Sequence, residues 1–351
     1  MDSLTDVGPP VKNSFVREAR VAAANWKATT SALPERARAG GCYRGGGESL
    51  PFCVPMDDRD HNLLAEARDL ALGRFAAAEI PWHHGGDRPS NHLLSSQVQC
   101  ANALAPFVEQ PASLQRMFET VLDIGKVLPF GATTTCSFDA TDHVVFEWIG
   151  TDNYLNEHVG SVGTRGANNT SADAAMRYLT PSGSVEIALI EWKYVEQYLG
   201  HELSGGDAKN AVRRARYDVL LADEDSPIRV DLVPFDDLLV EPFYQLMRLQ
   251  LLAWQMERAQ ELEADCVRLV IAAPSANHPL MQSFNRPSLR ALAGPGGTIL
   301  DAWRAMLRRP DRFAYLDTAT LISAGSPTSS DFKSRYGHLS SAVVPPLPPR
   351  A

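Results

Sequence analysis

The run Ile187-Ala188-Leu189-Ile190, closed by Glu191-Trp192-Lys193, sets the tightest limit on how this chain can fold. The apolar tetrapeptide reads as a buried strand, and a buried strand excludes charge because an unpaired ion in a low-dielectric interior costs several kcal/mol. Either the strand surfaces at Glu191 and Lys193, or the two charges are there for chemistry. An isolated Glu-x-Lys is a solvated surface pair worth under ~1 kcal/mol, so the neighbours decide.

The preceding strand candidate, 172–180, connects through Pro181-Ser182-Gly183, with glycine where a left-handed residue closes such hairpins. If Thr180 pairs with Ser184, Asp173 falls opposite Glu191 on the same face, with Cβ atoms ~5 Å apart. Lys193, two residues beyond Glu191, shares that face. Two carboxylates so placed repel unless a proton or a cation joins them. Oxygen ligation with room for water suits Mg²⁺, with Mn²⁺ as the alternative, bound through one or two carboxylates plus substrate phosphate. Such an ion stabilises charge on a phosphodiester and acidifies a bound water. The lysine would orient that water or neutralise the phosphorane. These are the parts for phosphodiester hydrolysis.

The rest of the chain supplies the context. Residues 14–30 predict a helix, 31–60 are rich in Gly, Pro and Arg and read as irregular, and a second helix is expected over roughly 61–78. Asn91 is the expected N-cap of "HLLSSQVQCANALAPF", whose Leu93, Leu94, Val98 and Ala101 recur at helical spacing. Another helix is expected over 111–126, then strands at 143–150, 172–180 and 185–194. A helix follows Gly205-Gly206, with Asp207 as its cap, and runs to about Ala222. "IRVDLV" (228–233) alternates like a half-buried strand. Pro242 opens a helix over 242–260 with Phe243, Leu246, Met247 and Trp254 as its apolar stripe. "CVRLVIAAP" (266–274) is a buried strand, "AGPGG" (293–297) a turn, 299–308 a helix, and the Pro-rich end an extended, disordered tail.

The pattern Asp173-x(17)-Glu191-x-Lys193, on the second and third of three strands set between helices, resembles the PD-(D/E)XK, or restriction-endonuclease-like, nuclease superfamily. The segments "NHLLSSQVQCANALAP", "RGANNTSADAAMRY" and "IEWKYVEQY" resemble a bacterial group within it described as restriction-type endonucleases. The chain departs from the superfamily's name at Ala172, where a proline would stand. The resemblance implies an α/β fold: a mixed β-sheet core flanked by helices over 91–275. A helical and irregular N-terminal extension (1–90), a C-terminal helical extension (276–340) and a tail (341–351) complete the plan. It also implies a Mg²⁺-dependent deoxyribonuclease acting on DNA, in restriction or defence against foreign DNA, with Asp173 and Glu191 as metal ligands and Lys193 as a catalytic residue.

Further residues are candidates for the same site. Glu147, on the first strand, and Glu157, in the loop after it, are candidates for a second metal; Gln97 sits mid-helix among apolar residues, where an amide needs partners. Lys209, Arg213 and Arg216 recur at i, i+4 and i+7 on the helix after the third strand, with Tyr217 beside them, as a nucleic-acid-binding stripe. Arg213-x-x-x-Tyr217 resembles the Gln-x-x-x-Tyr of some exonuclease branches. His83-His84 with His92 fits no common zinc spacing.

Composition narrows the field without deciding it. In 351 residues with a net charge of −9 there is no excess of positive charge to coat nucleic acid non-specifically, though one basic cleft would suffice. No apolar run approaches the ~18 residues of a membrane span, and "MDSLTDVGPP" lacks the features of a secretory signal. Five irregularly spaced cysteines read as reduced thiols, so a cytoplasmic location is expected, with a homodimer as one assembly open to the chain. The main rival is a nucleic-acid-binding or scaffold protein on the same fold whose chemistry has degenerated.

Overall fold

A six-stranded mixed sheet runs between two helical layers, each with its own apolar core. The computed structural model describes residues 14–83, 86–131, 140–157, 169–199, 203 and 206–341. His84, Gly205, part of the segment "RGANNTSADAAMRY" and nearly all of the Pro-rich tail lie outside these. The elements begin with helix α1 (Ser14–Thr29), a two-stranded ribbon of β1 (Gly41–Cys42) and β2 (Ser49–Leu50), α2 (Ala65–Ala77), α3 (Ser96–Leu104), α4 (Pro111–Phe118) and β3 (Lys126–Leu128). The sheet centre follows as β4 (Val144–Trp148), β5 (Ala172–Leu179) and β6 (Val185–Trp192). Then come α5 (Gly206–Ala222), α6 (Phe243–Arg258), β7 (Cys266–Ala273), α7 (His278–Met281), α8 (Pro287–Ala293), α9 (Ile299–Met306), β8 (Phe313–Asp317) and α10 (Ser330–Tyr336).

The hairpin between β5 and β6 forms in the expected register. Leu179 pairs with Val185 and the ladder continues to Ala174 opposite Ile190, so the next positions along it are Asp173 and Glu191. Thr180 N–H donates to Ser184 O at 2.9 Å, and Gly183 takes a φ of +92°, open to glycine at no steric cost. β6, β7 and β8 are mutually parallel, and helices cover both faces, which is why β6 reads as a continuous apolar run. Ala188, Ile190 and Trp192 face the layer that contains α1 to α4 and α10; Ile187 and Leu189 face α6 and α9.

β4 lies antiparallel on the other side of β5, and its alternation breaks once. Phe146 packs in the first layer, but Val145 and Trp148 both pack in the second. Between them Glu147 holds a φ of +48°, a left-handed conformation that costs a non-glycine residue ~1–3 kcal/mol. In register, Glu147 is opposite Asp173. One glutamate, one aspartate and one glutamate therefore fall in a row across three neighbouring strands.

Several expectations are corrected. Ser95, not Asn91, caps α3: its Oγ accepts from Val98 N–H at 3.4 Å. Asn91 instead donates to the carbonyls of Cys42 (2.9 Å) and Val54 (2.8 Å) and so ties down the ribbon. The expected 111–126 helix stops at Phe118, and its last residue, Lys126, opens the edge strand β3. Residues 228–233 form no strand: Ile228 makes one isolated bridge, to Leu307, and without a continuing neighbour the alternation has nothing to pair with. Asp207 sits inside the first turn of α5 and is not its cap. The 276–340 segment is not only helical, since β8 extends the sheet beside β7.

The N- and C-terminal parts share one core. Arg335 of α10, 3% exposed, donates to Asn62 O at 2.6 Å and to Leu93 O at 3.2 Å, with Trp26 and Tyr336 rings each 5.0 Å away. Cys42, Cys53, Cys100 and Cys266 are free thiols. Among the described residues no helix is long and apolar enough to cross a membrane.

Candidate active site

At the C-terminal end of β6 buried charges meet across neighbouring strands. Glu191 is 2% and Lys193 9% exposed, and Lys193 Nζ donates to Glu191 Oε1 at 2.6 Å. α6 supplies a third partner: the Gln245 amide donates from Nε2 to Glu191 Oε1 (2.7 Å) and accepts from Lys193 Nζ at Oε1 (2.7 Å). Asp173 turns Oδ2 to the Trp192 N–H at 2.6 Å. Among the described residues the hydrogen bonds of this pair use Asp173 Oδ2 and Glu191 Oε1, and leave Asp173 Oδ1 and Glu191 Oε2 for another partner.

Glu147 completes the row. Its Oε2 accepts from Ser171 Oγ at 2.6 Å and its Oε1 from Gln97 Nε2 at 3.2 Å. Gln97 also accepts the His83 N–H at 2.7 Å, so α3 joins the loop at His83 to the acidic row. His83 is half-exposed, with Nε2 3.9 Å from Glu147 Oε1. The wholly buried Cys100 thiol is raised well above its ordinary value by burial and then by the negative charge of Asp173, Glu147 and Glu191.

The electrostatics follow from this crowding. Burial, then the charge of Glu147, pushes Asp173 up to about 7, against the pull of Lys193 and the Trp192 N–H. Burial, then Asp173, pushes Glu191 up to about 8, although Lys193 opposes this. Burial works against charge on Lys193 as well, but Glu191 and its other acidic neighbours hold that ammonium well above the usual lysine value. Among the described residues the three carboxylates of the row face one ammonium, a surplus of two negative charges when all are ionised. Protons or a divalent cation can absorb that surplus.

Among the described residues no group of three or more His, Cys, Asp and Glu side chains is arranged to enclose a metal ion. The donor set nevertheless fits a hard cation of the Mg²⁺ kind, which takes one or two carboxylates and completes its shell with water and substrate phosphate. Asp173 and Glu191 are the residues that would hold it.

Other sequence candidates are placed elsewhere. Glu157 belongs to a separate cluster: Oε1 accepts from Tyr217 (2.6 Å), Thr170 Oγ1 (2.7 Å) and Arg248 Nε (3.1 Å). Burial works to raise its pKa, but Arg248, Tyr217 and Thr170 hold it below the ordinary value. A carboxylate so fully engaged is an anchor. Tyr217 is fully buried, so it is no part of a nucleic-acid surface, and Arg216 donates to the Glu157 carbonyl at 3.1 Å. Arg213 donates to Asn210 at 2.6 Å and lies 5.3 Å from the Tyr244 ring; Lys209 is exposed. The basic stripe is thus largely turned to structural work.

Sequence reasoning missed Gln245, Ser171 and Tyr198, whose ring lies 5.9 Å from Lys193 Nζ, and weighed His83 only for zinc. A lone glutamine beside the stripe of α6 gives no local signal. Ser171, two residues before Asp173, gave one only to a reader who already knew that β4 bends at Glu147.

A mixed sheet between helical layers, with Asp173 and Glu191-x-Lys193 meeting at the end of its central hairpin, defines a restriction-endonuclease-like α/β protein. The family model described as restriction endonuclease associating with ARP matches residues 20–337, and the chain belongs to that family. Comparisons with curated proteins and with solved structures returned no match. Membership suggests a nuclease or defence role with DNA as substrate.

Proposed function

We propose that the protein is a divalent-metal-dependent deoxyribonuclease, with Mg²⁺ as its ion and Mn²⁺ as a substitute, acting in restriction or defence in the cytoplasm. The observation that carries this reading is the row Glu147–Asp173–Glu191, its two glutamates buried and Asp173 half-buried, over-charged and capped by Lys193. Charge surplus of this kind is costly to a fold and serves no packing purpose.

Asp173 and Glu191 hold the ion, which when bound supplies charge neutralisation at the phosphodiester and a more acidic water. Glu147, fixed by Ser171 and Gln97, keeps the far side of the row acidic. Lys193 has three N–H donors and spends two on Glu191 and Gln245. The third is left for a non-bridging phosphate oxygen or the attacking water. Parallel-strand ends at β6, β7 and β8 form the kind of edge at which open α/β sheets bind ligands.

The test is incubation with plasmid and linear DNA, with and without Mg²⁺. Cleavage only with the ion, lost in Asp173→Asn and Lys193→Ala, supports the reading. One observation favours the rival of a degenerate nuclease fold: Lys193 is closed onto Glu191 at 2.6 Å. That rival predicts DNA binding indifferent to Mg²⁺ and no cleavage by the wild type.

A further inference from the structure

Gln245 has no counterpart in the Asp and Glu-x-Lys pattern, yet it is the one side chain of the α6 layer that bonds both Glu191 and Lys193 among the described residues. Its amide orientation is settled by its partners. An ammonium only donates, so Oε1 must face Lys193, which leaves Nε2 to donate to Glu191 Oε1, the oxygen that also accepts from the ammonium. The three groups close a ring of contacts at 2.6, 2.7 and 2.7 Å, and each end of the amide fixes one charged neighbour.

Two consequences follow from that ring. Glu191 Oε1 is occupied twice, which turns the carboxylate so that Oε2 is the oxygen left for a cation. Lys193 rests on a long, flexible stem, and among the described residues Glu191 is its one other hydrogen-bond acceptor, with the Tyr198 ring 5.9 Å away. A single acceptor lets the ammonium swing about that carboxylate. A second acceptor from another element converts a swinging contact into a fixed one. α6 can supply it because Phe243, Leu246 and Met247, on either side of Gln245, are buried in the second core. The wall beside this ring is apolar, with Leu246, Ile271, Leu280 and Ile299 lining the adjoining cavity. That lining holds no polar side chain besides Glu191, Lys193 and Gln245 to replace the amide, while Glu196, Glu241 and the Tyr198 ring bear on Lys193 from other sides.

We infer that Gln245 is a positioning residue, which sets the direction of the Lys193 ammonium and leaves Glu191 Oε2 open. The role in catalysis rests on the nuclease reading; the positioning of Lys193 does not. Gln245→Met keeps the volume and removes both hydrogen bonds, and Gln245→Ala is the second variant should methionine not fit.

The experiment has two arms on the full chain. In the first, Lys193 and the exposed Lys209 are labelled with an amine-acylating reagent and quantified by mass spectrometry, without DNA. Freed from Gln245, Lys193 should label several-fold faster in the variant while Lys209 is unchanged. Equal labelling of Lys193 in variant and wild type overturns the inference, whether or not the protein cuts DNA. In the second arm, Mg²⁺-dependent cleavage of a linear duplex should fall by about 10- to 100-fold in kcat with KM little changed, as for residues that orient catalytic groups. A rise in KM at constant kcat also overturns it, because it would make Gln245 a binding contact. A wild type that never cleaves defeats the nuclease reading, and the labelling arm still decides the positioning.

Discussion

Glu186 and Glu191 occupy the same strand, five residues apart, and both are buried, 5% and 2% exposed. Their surroundings could hardly differ more. Glu186 receives Arg268 on both oxygens, at 2.6 and 2.9 Å, and the Tyr178 hydroxyl at 2.6 Å. Burial works to raise its pKa, but Arg268 and Tyr178 win and hold it below the ordinary value. Glu191 has one ammonium, a neighbouring Asp173 and a third carboxylate behind that, and it rises to about 8. One end of β6 is an ion pair whose charges cancel; the other is a charge surplus left standing. A protein that needed only a stable strand would have finished both ends alike.

The largest effect that sharpens this contrast is on chemistry. Lys193→Ala should reduce cleavage by ~10²–10³-fold or more, since it removes the group aimed at developing charge. Stabilisation by Mg²⁺ should persist, as lysine is no metal ligand; a melt in Mg²⁺ checks this. Arg268→Ala at the other end should leave cleavage intact but cost about 3 kcal/mol, because Glu186 is left buried and unpaired. Denaturant titration reads that loss. Equal effects of the two changes on activity would erase the distinction between the ends.

The two ends should also answer pH in opposite directions. Asp173 and Glu191 have folded pKa values of about 7 and about 8, above their ordinary 3.8 and 4.5. A raised pKa contributes stability that is complete below the ordinary value and is lost as pH climbs through the folded one. Without metal, the contribution of the row to the melting temperature should therefore fall from about pH 4 to about pH 8 and level off above that, and Asp173→Asn should flatten the fall. Glu186 is depressed, so its contribution is present above the ordinary 4.5 and disappears as pH drops below it. Asp173→Asn and wild type running parallel from about pH 4 to about pH 8 would mean the surplus charge is absent.

The smallest effects concern the second anchor and the basic helix. Tyr217→Phe removes one hydrogen bond to Glu157 and should cost about 1 kcal/mol without changing DNA affinity. Lys209→Ala should lower the salt slope of DNA binding by about 1 if that lysine meets a phosphate. A loss of affinity in Tyr217→Phe would restore the tyrosine to the substrate surface.

The hairpin and the pairing of Asp173 with Glu191 were legible because alternation and the turn Pro181-Ser182-Gly183 fix register locally. Lys193 follows from the strand period. Glu147 was legible as a candidate but its left-handed backbone was not, since nothing in "VFEW" announces a bend. β3 and β8 were missed because a short strand owes its existence to a neighbour far off in the chain. Residues 228–233 show the converse, a strand-like pattern that has only Ile228 bridged. Gln245 and Ser171 become site residues only when α6 and β4 dock, and that information is tertiary.

The most direct test is the thermal melt of wild type, Glu191→Gln and Lys193→Ala at pH 8.5, each with and without millimolar Mg²⁺. The acidic row predicts that metal-free Glu191→Gln melts no lower than wild type, because one repelling charge is gone. Mg²⁺ should then raise the melting temperature of wild type and of Lys193→Ala and leave Glu191→Gln nearly unmoved. A wild type indifferent to Mg²⁺, with Glu191→Gln markedly less stable, would show instead that Glu191 and Lys193 are a structural pair.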